Sequence, residues 1–349
     1  MIKLLIVDDS ALMRRQLSSV FEEQGDFQIR FARNGREAVE ENTRFQPDVV
    51  TLDINMPEMD GLTALALIMA ERSVPVVMLS SLTEKGALAT FEALALGAVD
   101  YIAKPSGTIS LSMDDIKKEL VAKIRAAAKS HIKKARITPI IRPTAVAKAA
   151  PPIIRRGVVN DGIVLIGVST GGPRTLEDIL PLFPANFPYP ILVAQHMPAS
   201  FTLQFAARMN DLCALQVVEV SSPRTLEAGF IYIGRGGADM VVVQRGGKST
   251  VISKPENKEF LWHPSVELLG RSALEHYEAS KIIGVMLTGM GYDGSAAFAA
   301  IKKQGGRTIA ESEASCVVFG MPAELIAKDG ATTVLSADKV TERILTWVR

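Results

Sequence analysis

Two α/β domains, each built on a largely parallel sheet, are predicted for this chain by three observations. Its 349 residues exceed what one hydrophobic core ordinarily serves. Short β-branched runs alternate with stretches carrying apolar residues at helical spacing, the pattern of parallel strands joined by crossover helices. The alternation breaks once, over residues 129–160, where Pro139, Pro143, Pro151 and Pro152 recur among basic residues with no Asp or Glu.

The first domain, residues 1–128, is expected to hold five strands at 3–7, 28–32, 49–52, 74–79 and 99–102, with one helix-length segment between each pair. Residues 129–160 read as a linker, a solvated and extended tether. The second domain, residues 161–349, resumes the alternation with strands at 163–168, 191–194, 217–220, 230–233, 240–243, 250–253, 282–287, 307–310 and 333–335. Among these, residues 240–253 form a hairpin turning on Gly246 and Gly247.

Composition excludes several functions. Lys and Arg number 39 against 38 Asp and Glu, so the charge of +1 offers no support for a nucleic-acid or membrane surface. Cys213 and Cys316 stand far apart without Cys or His at ligand spacing, so two buried thiols in a reducing cytoplasm are expected rather than a disulfide or zinc site. The apolar start, residues 1–7, meets Asp8 and Asp9 too soon for a signal peptide, and no run of about eighteen apolar residues follows. A cytoplasmic chain with no membrane insertion is the expectation.

In the first domain, chemistry collects at strand ends. Asp8 and Asp9 follow the first strand and Asp53 the third, ends that adjoin at the switch point of a doubly wound sheet. Carboxylates crowded there need a cation to stay ionised, and a magnesium ion accepts such ligands. Ser80 ends the fourth strand and can hydrogen-bond a phosphoryl oxygen; Lys104 follows the fifth and can neutralise one. A single acidic residue after a strand is often only a helix cap, but five polar and charged residues gathered at the ends of four strands are a site. With the turn at Asn55-Met56-Pro57, Met59-Asp60-Gly61 and the pair Lys104-Pro105, this segment closely resembles the receiver domain of response regulators. The resemblance implies a flavodoxin-like fold and a phosphoacceptor Asp53 served by a histidine kinase. It further implies Mg2+ on Asp8, Asp9 and Asp53, and phosphoryl reading by Ser80 and Lys104.

In the second domain, the strand at 163–168 runs into Ser169-Thr170-Gly171-Gly172-Pro173 and then a helical pattern. Gly167-x-Ser169-x-Gly171 satisfies a nucleophile-elbow pattern, yet a strand, glycine turn and helix equally describe a phosphate cradle. His196, at the end of the strand at 191–194, favours the nucleophile, although a lone histidine is more often structural; His131, His263 and His276 follow no apolar strand. Asp293 lies in the loop after the strand at 282–287, where Gly289, Gly291 and Gly294 also spell a dinucleotide fingerprint with Glu311 or Glu313 some twenty residues on. A carboxylate within such a loop would repel a pyrophosphate, whereas Asp293 can orient His196. The chain order Ser, His, Asp differs from that of α/β-hydrolases, so a Rossmann-like parallel sheet is expected instead.

These segments, with Gln195-His196-Met197-Pro198, Pro264-Ser265-Val266-Glu267 and Val317-Val318-Phe319-Gly320-Met321-Pro322, are similar to the catalytic domain of chemotaxis protein-glutamate methylesterases, the CheB family. The resemblance implies phosphorylation-activated hydrolysis of glutamate methyl esters on chemoreceptors, with glutamine deamidation in some relatives. It implies Ser169 as nucleophile, His196 as base, Asp293 as orienter, and Thr170 and the Met290 backbone at the oxyanion; no cofactor serves the esterase reaction. Departures stand at Gly234-Arg235-Gly236, at His263 in place of arginine, and at Ser312 in place of aspartate or asparagine, and they bear on which receptor is the substrate. The rival reading is a receiver fused to a non-catalytic module that binds a nucleotide or a partner. The order of the parts leads to one further expectation: the unphosphorylated receiver covers the Ser169 cleft, and phosphate on Asp53 relieves it.

Overall fold

A computed structural model of the chain describes residues 1–81, 83–104, 113–130 and 162–348. All but the first two positions of the expected linker lie outside these residues, as do Pro105 and His131. The chain forms two compact units, Met1–Arg136 and Ile137–Arg349.

In the first unit, strands β1 (Ile2–Val7), β2 (Phe27–Ala32), β3 (Val49–Asp53), β4 (Val76–Ser80) and β5 (Asp100–Ala103) alternate with helices α1 (Ala11–Glu22), α2 (Gly35–Phe45), α3 (Gly61–Glu71), α4 (Glu84–Leu96) and α5 (Met113–Lys129). The sheet is parallel in the order β2-β1-β3-β4-β5. Central strands β3 and β4 are buried at every position while the edge strand β2 is not, because only central strands are covered by helices on both faces. Ser10, Asn34, Asp60 and Thr83 cap the helices that follow them, each accepting a backbone N–H of the first turn.

The second unit runs β6 (Ile163–Val168), α6 (Gly172–Ile179), β7 (Ile191–Gln195), α7 (Ala199–Leu212), β8 (Gln216–Val220), β9 (Arg224–Thr225), β10 (Phe230–Gly234), β11 (Ala238–Arg245) and β12 (Lys248–Pro255). It continues with α8 (Val266–His276), β13 (Ile282–Met286), α9 (Ser295–Lys303), β14 (Arg307–Glu311), α10 (Met321–Ala327), β15 (Thr333–Leu335) and α11 (Ala337–Val348). Seven strands form a parallel sheet ordered β15-β14-β13-β6-β7-β10-β8. The order reverses beside β6, which lies between β13 and β7, and this is where an open α/β sheet leaves a crevice at its carboxyl edge.

The hairpin of β11 and β12 turns on Gly246 (φ +56°) and Gly247 (φ +73°), the two left-handed positions that a two-residue turn of matching twist demands. With the short β9 it forms a separate three-stranded antiparallel sheet, a division that strand patterning does not reveal. Cys316 is buried, but Cys213 is only half-buried, a correction to the expectation of two buried thiols; it sits just past α7, where burial still pushes its thiol up to about 12. Among the described residues no helix is long and apolar enough to cross a membrane.

Candidate functional site

The acidic cluster of the first unit lies at the β1–β3 switch point. Oxygens of Asp8, Asp9 and Asp53 lie within 4.8 Å of one another, with Asp8 and Asp53 buried and Asp9 exposed. The Lys104 ammonium bridges the two buried carboxylates, 2.9 Å from Asp8 Oδ2 and 2.8 Å from Asp53 Oδ2. Burial pushes the Asp53 carboxyl up; Lys104 opposes that shift and the nearby Asp8 charge adds to it. Lys104, although burial opposes its charge, is held above its ordinary range by its two carboxylate partners.

Two buried carboxylates facing one ammonium leave a negative charge uncompensated, and all the available donors are hard oxygens. That set fits a divalent cation such as Mg2+. The Ser80 hydroxyl is engaged on α4, donating to Gly86 O at 3.1 Å and accepting from Thr90 Oγ1 at 2.8 Å. The structure brings Asp8, Asp9, Asp53 and Lys104 together, while the Ser80 hydroxyl at the end of the neighbouring strand β4 is hydrogen-bonded to α4.

The second site occupies the carboxyl ends of the adjacent strands β13, β6 and β7. Ser169 follows β6, His196 follows β7, and Asp293 lies in the loop after β13. Backbone bonds set their spacing: Ser169 N donates to Thr288 O at 3.0 Å, and His196 N to Val168 O at 3.1 Å. Gln195 adds a side-chain strut, its Nε2 donating to Ser169 O at 3.0 Å and to His196 O at 2.9 Å.

Asp293 is 4 % exposed, and four groups hydrogen-bond to its carboxylate. His196 Nε2 lies 2.9 Å from Oδ2; Val266 N donates to Oδ2 at 2.7 Å, and Glu267 N and Ser265 Oγ to Oδ1 at 3.0 and 3.1 Å. The carboxylate therefore sits on the amino end of α8, whose cap is Ser265. Burial alone would raise Asp293, but the His196 hydrogen bond and charge and the two amides outweigh it and hold the carboxyl below its ordinary 3.8.

Glycines permit the close packing. A Cβ on Gly167 or Gly294 would lie 2.3 Å from Val266 Cγ1, so both yield space to the first residue of α8; Gly294, with φ +82°, also needs the left-handed region. A Cβ on Gly289 would lie 2.7 Å from Ser169 Cβ. The fingerprint spelled by Gly289, Gly291 and Gly294 thus makes room for the protein's own side chains. Glu311 is buried and accepts Thr288 N at 2.8 Å and Ser315 Oγ at 2.8 Å, which leaves it occupied in the scaffold rather than offered to a ribose.

His196 Nδ1 is buried without a hydrogen-bond partner, so no hydrogen bond joins it to Ser169 Oγ in this structure. The adjacent Thr170 Oγ1 is likewise buried and unpartnered, and Met290 sits half-buried in the loop between Gly289 and Gly291. Of the departures, Arg235 is exposed. His263 Nδ1 lies 2.9 Å from Asp239 Oδ1, tied into the scaffold, and Ser312 N donates to Leu335 O at 2.8 Å.

Sequence reasoning assigned no role to Gln195, Ser265, Trp262 or Thr288. Ser265 stands just before an apolar helical pattern, a cap signal that could have marked it. Trp262 carries no local signal, since its site contacts, stacking on His196 and meeting Tyr292 edge-on, join residues remote in sequence.

Two family models match these units. The response regulator receiver domain matches residues 4–134 and CheB methylesterase matches residues 164–344. By fold and match the first unit is a receiver domain and the second a CheB methylesterase domain. A protein-glutamate methylesterase/protein-glutamine glutaminase of Rhodospirillum rubrum is 52% identical, covering 100% of this chain and 96% of its own. One of Rhodopseudomonas palustris is 50% identical over 99% of this chain and 98% of its own. The crystal structure of the Thermotoga maritima CheB methylesterase catalytic domain is similar with a TM-score of 0.51 and 40% identity, covering 53% of this chain and 97% of that one. The chain belongs to the CheB methylesterase family of response regulators.

Proposed function

We propose that this protein hydrolyses methyl esters of glutamate side chains on chemoreceptors, and deamidates glutamine at the same site, under control of phosphorylation at Asp53. The observation that carries the reading is the His196–Asp293 pair at 2.9 Å, whose second ring nitrogen is buried and unpartnered beside the strand end that bears Ser169. Asp293 accepts from Nε2–H and so leaves Nδ1 as the acceptor of the neutral ring. Ser169 Oγ attacks the ester carbonyl carbon while its proton passes to Nδ1. Collapse of the tetrahedral intermediate breaks the acyl–oxygen bond, and the imidazolium gives its proton to the leaving methoxide, releasing methanol. Water then attacks the acyl-enzyme, again losing a proton to Nδ1, and yields the glutamate carboxylate and free Ser169. Thr170 and the Met290 backbone are assigned to the oxyanion.

At the receiver, Asp53 takes the phosphoryl group from a histidine kinase. Asp8, Asp9 and Asp53 would hold Mg2+, which supplies charge neutralisation for the transferring phosphoryl oxygens. Lys104 lies beside Asp53 ready to pair with the phosphoryl group, and Ser80 reads it after leaving Gly86 and Thr90. The rival reading, a non-catalytic nucleotide-binding module, is disfavoured by the occupied Glu311 and by glycines already filled by neighbouring side chains.

The test is methanol release from methylated receptor by Ser169→Ala. Loss on the order of a million-fold in turnover is expected; a variant within tenfold of wild type overturns the mechanism.

A further inference from the structure

We infer that Trp262 is a positioning residue for the reaction, holding the His196 ring against its indole face and stabilising the charged imidazolium formed when Ser169 gives up its proton. The inference rests on the reading of His196 as the base. The two rings stack with centroids 5.7 Å apart and planes 5° from parallel. The single bond from Nε2 to Asp293 fixes one end of the imidazole, yet leaves the ring free to twist about that line, and Nδ1 has no partner to stop it. A flat surface alongside removes that freedom and keeps Nδ1 aimed along one direction.

The indole is itself held. Tyr292 meets it edge-on, centroids 5.3 Å apart at 84°, and Gly291 lies under it. A Cβ on Gly291 would stand 2.8 Å from Trp262 Cζ2 and Cη2, so the loop that carries Asp293 also makes the seat for the tryptophan. Trp262 precedes by three residues Ser265, which caps α8 and donates to Asp293. One short segment thus supports the acid through its hydroxyl and faces the base with its ring.

The contact is worth more after proton transfer than before. A neutral imidazole gains only dispersion from the indole, whereas a cation within about 6 Å of an indole face gains quadrupole attraction as well. An interaction stronger in the transition state raises kcat rather than lowering KM. Truncation of Trp262 should therefore slow turnover and leave substrate binding nearly unchanged.

The experiment uses the full chain, a chemoreceptor carrying glutamate methyl esters, and methanol release. Trp262→Leu should lower kcat by about three- to thirtyfold with KM within twofold, and Trp262→Phe should recover most of the loss. Site-specific incorporation of mono-, di- and trifluorotryptophan at position 262 keeps the shape while draining the negative face, and kcat should fall stepwise along that series. An unchanged kcat across it, with His196→Ala inactive, overturns the role of Trp262 and leaves His196 as the base. A His196→Ala enzyme that turns over as the wild type does overturns the base assignment itself.

Discussion

Asp293 concentrates the residue-scale physics of the second site. Its carboxylate accepts from four donors and offers nothing in return, so the position suits an anion and no other polar side chain of that size. Asp293→Asn would turn an amide N–H₂ against at least one of these donors, leaving buried groups unpaired at a cost of about 1–3 kcal/mol. Because the folded carboxyl lies below its ordinary 3.8, its stabilisation is fully present above that value and is lost as pH falls through the lower, folded value. The stability gap between wild type and Asp293→Asn, followed by denaturant titration, is expected to be widest near neutrality and to narrow below about pH 4. A gap unchanged down to pH 2 would contradict the assigned charge. Activity of the variant should fall, though less far than for Ser169→Ala, since an orienter contributes less than the nucleophile.

At the scale of elements, the site depends on how closely α8 approaches the carboxyl edge of the sheet. Gly167 at the end of β6 and Gly294 before α9 both face Val266, the first residue of α8, whose N–H reaches Asp293. Gly167→Ala would place a methyl group 2.3 Å from Val266 Cγ1 and force the helix outward. Overpacking of this kind costs about 1–3 kcal/mol. A thermal melt should record that loss, and kcat should drop with it because the amides of Val266 and Glu267 leave their carboxylate. Val266→Ala in the same chain removes the obstructing methyls and should restore part of both; if it restores neither, the approach of α8 does not govern the pair.

For the whole molecule, each unit has its own sheet and its own buried core, so each site has the means to form independently. Ser169→Ala should leave Asp53 phosphorylation at the wild-type rate. The Thermotoga maritima catalytic domain was solved by itself, which supports the use of a fragment of this chain beginning at residue 161. If the unphosphorylated receiver restrains the esterase, that fragment should release methanol faster than the unphosphorylated full chain. Asp53→Asn should hold the full chain at its basal rate in the presence of kinase and ATP. A fragment no faster than the full chain would rule out occlusion and leave stimulation or recruitment as the route of control.

Much of both sites was legible because strand-end chemistry is local. An apolar run of fixed length announces its own carboxyl end, so Asp8, Asp53, Ser169 and His196 could be placed from the chain alone, and the glycine pair at 246–247 declared its turn. The sequence by itself determined two parallel α/β units and the residues standing at the strand ends. Only the tertiary structure decided which carboxylate meets which cation, that Ser80 points to Gly86 and Thr90, and that Glu311 is an internal strut. It alone brought the amino end of α8 under Asp293 and the indole of Trp262 against His196. The physical reason is distance along the chain: strand and turn signals act within a few residues, whereas His196 and Asp293, 97 positions apart, meet only because β6 lies between β7 and β13.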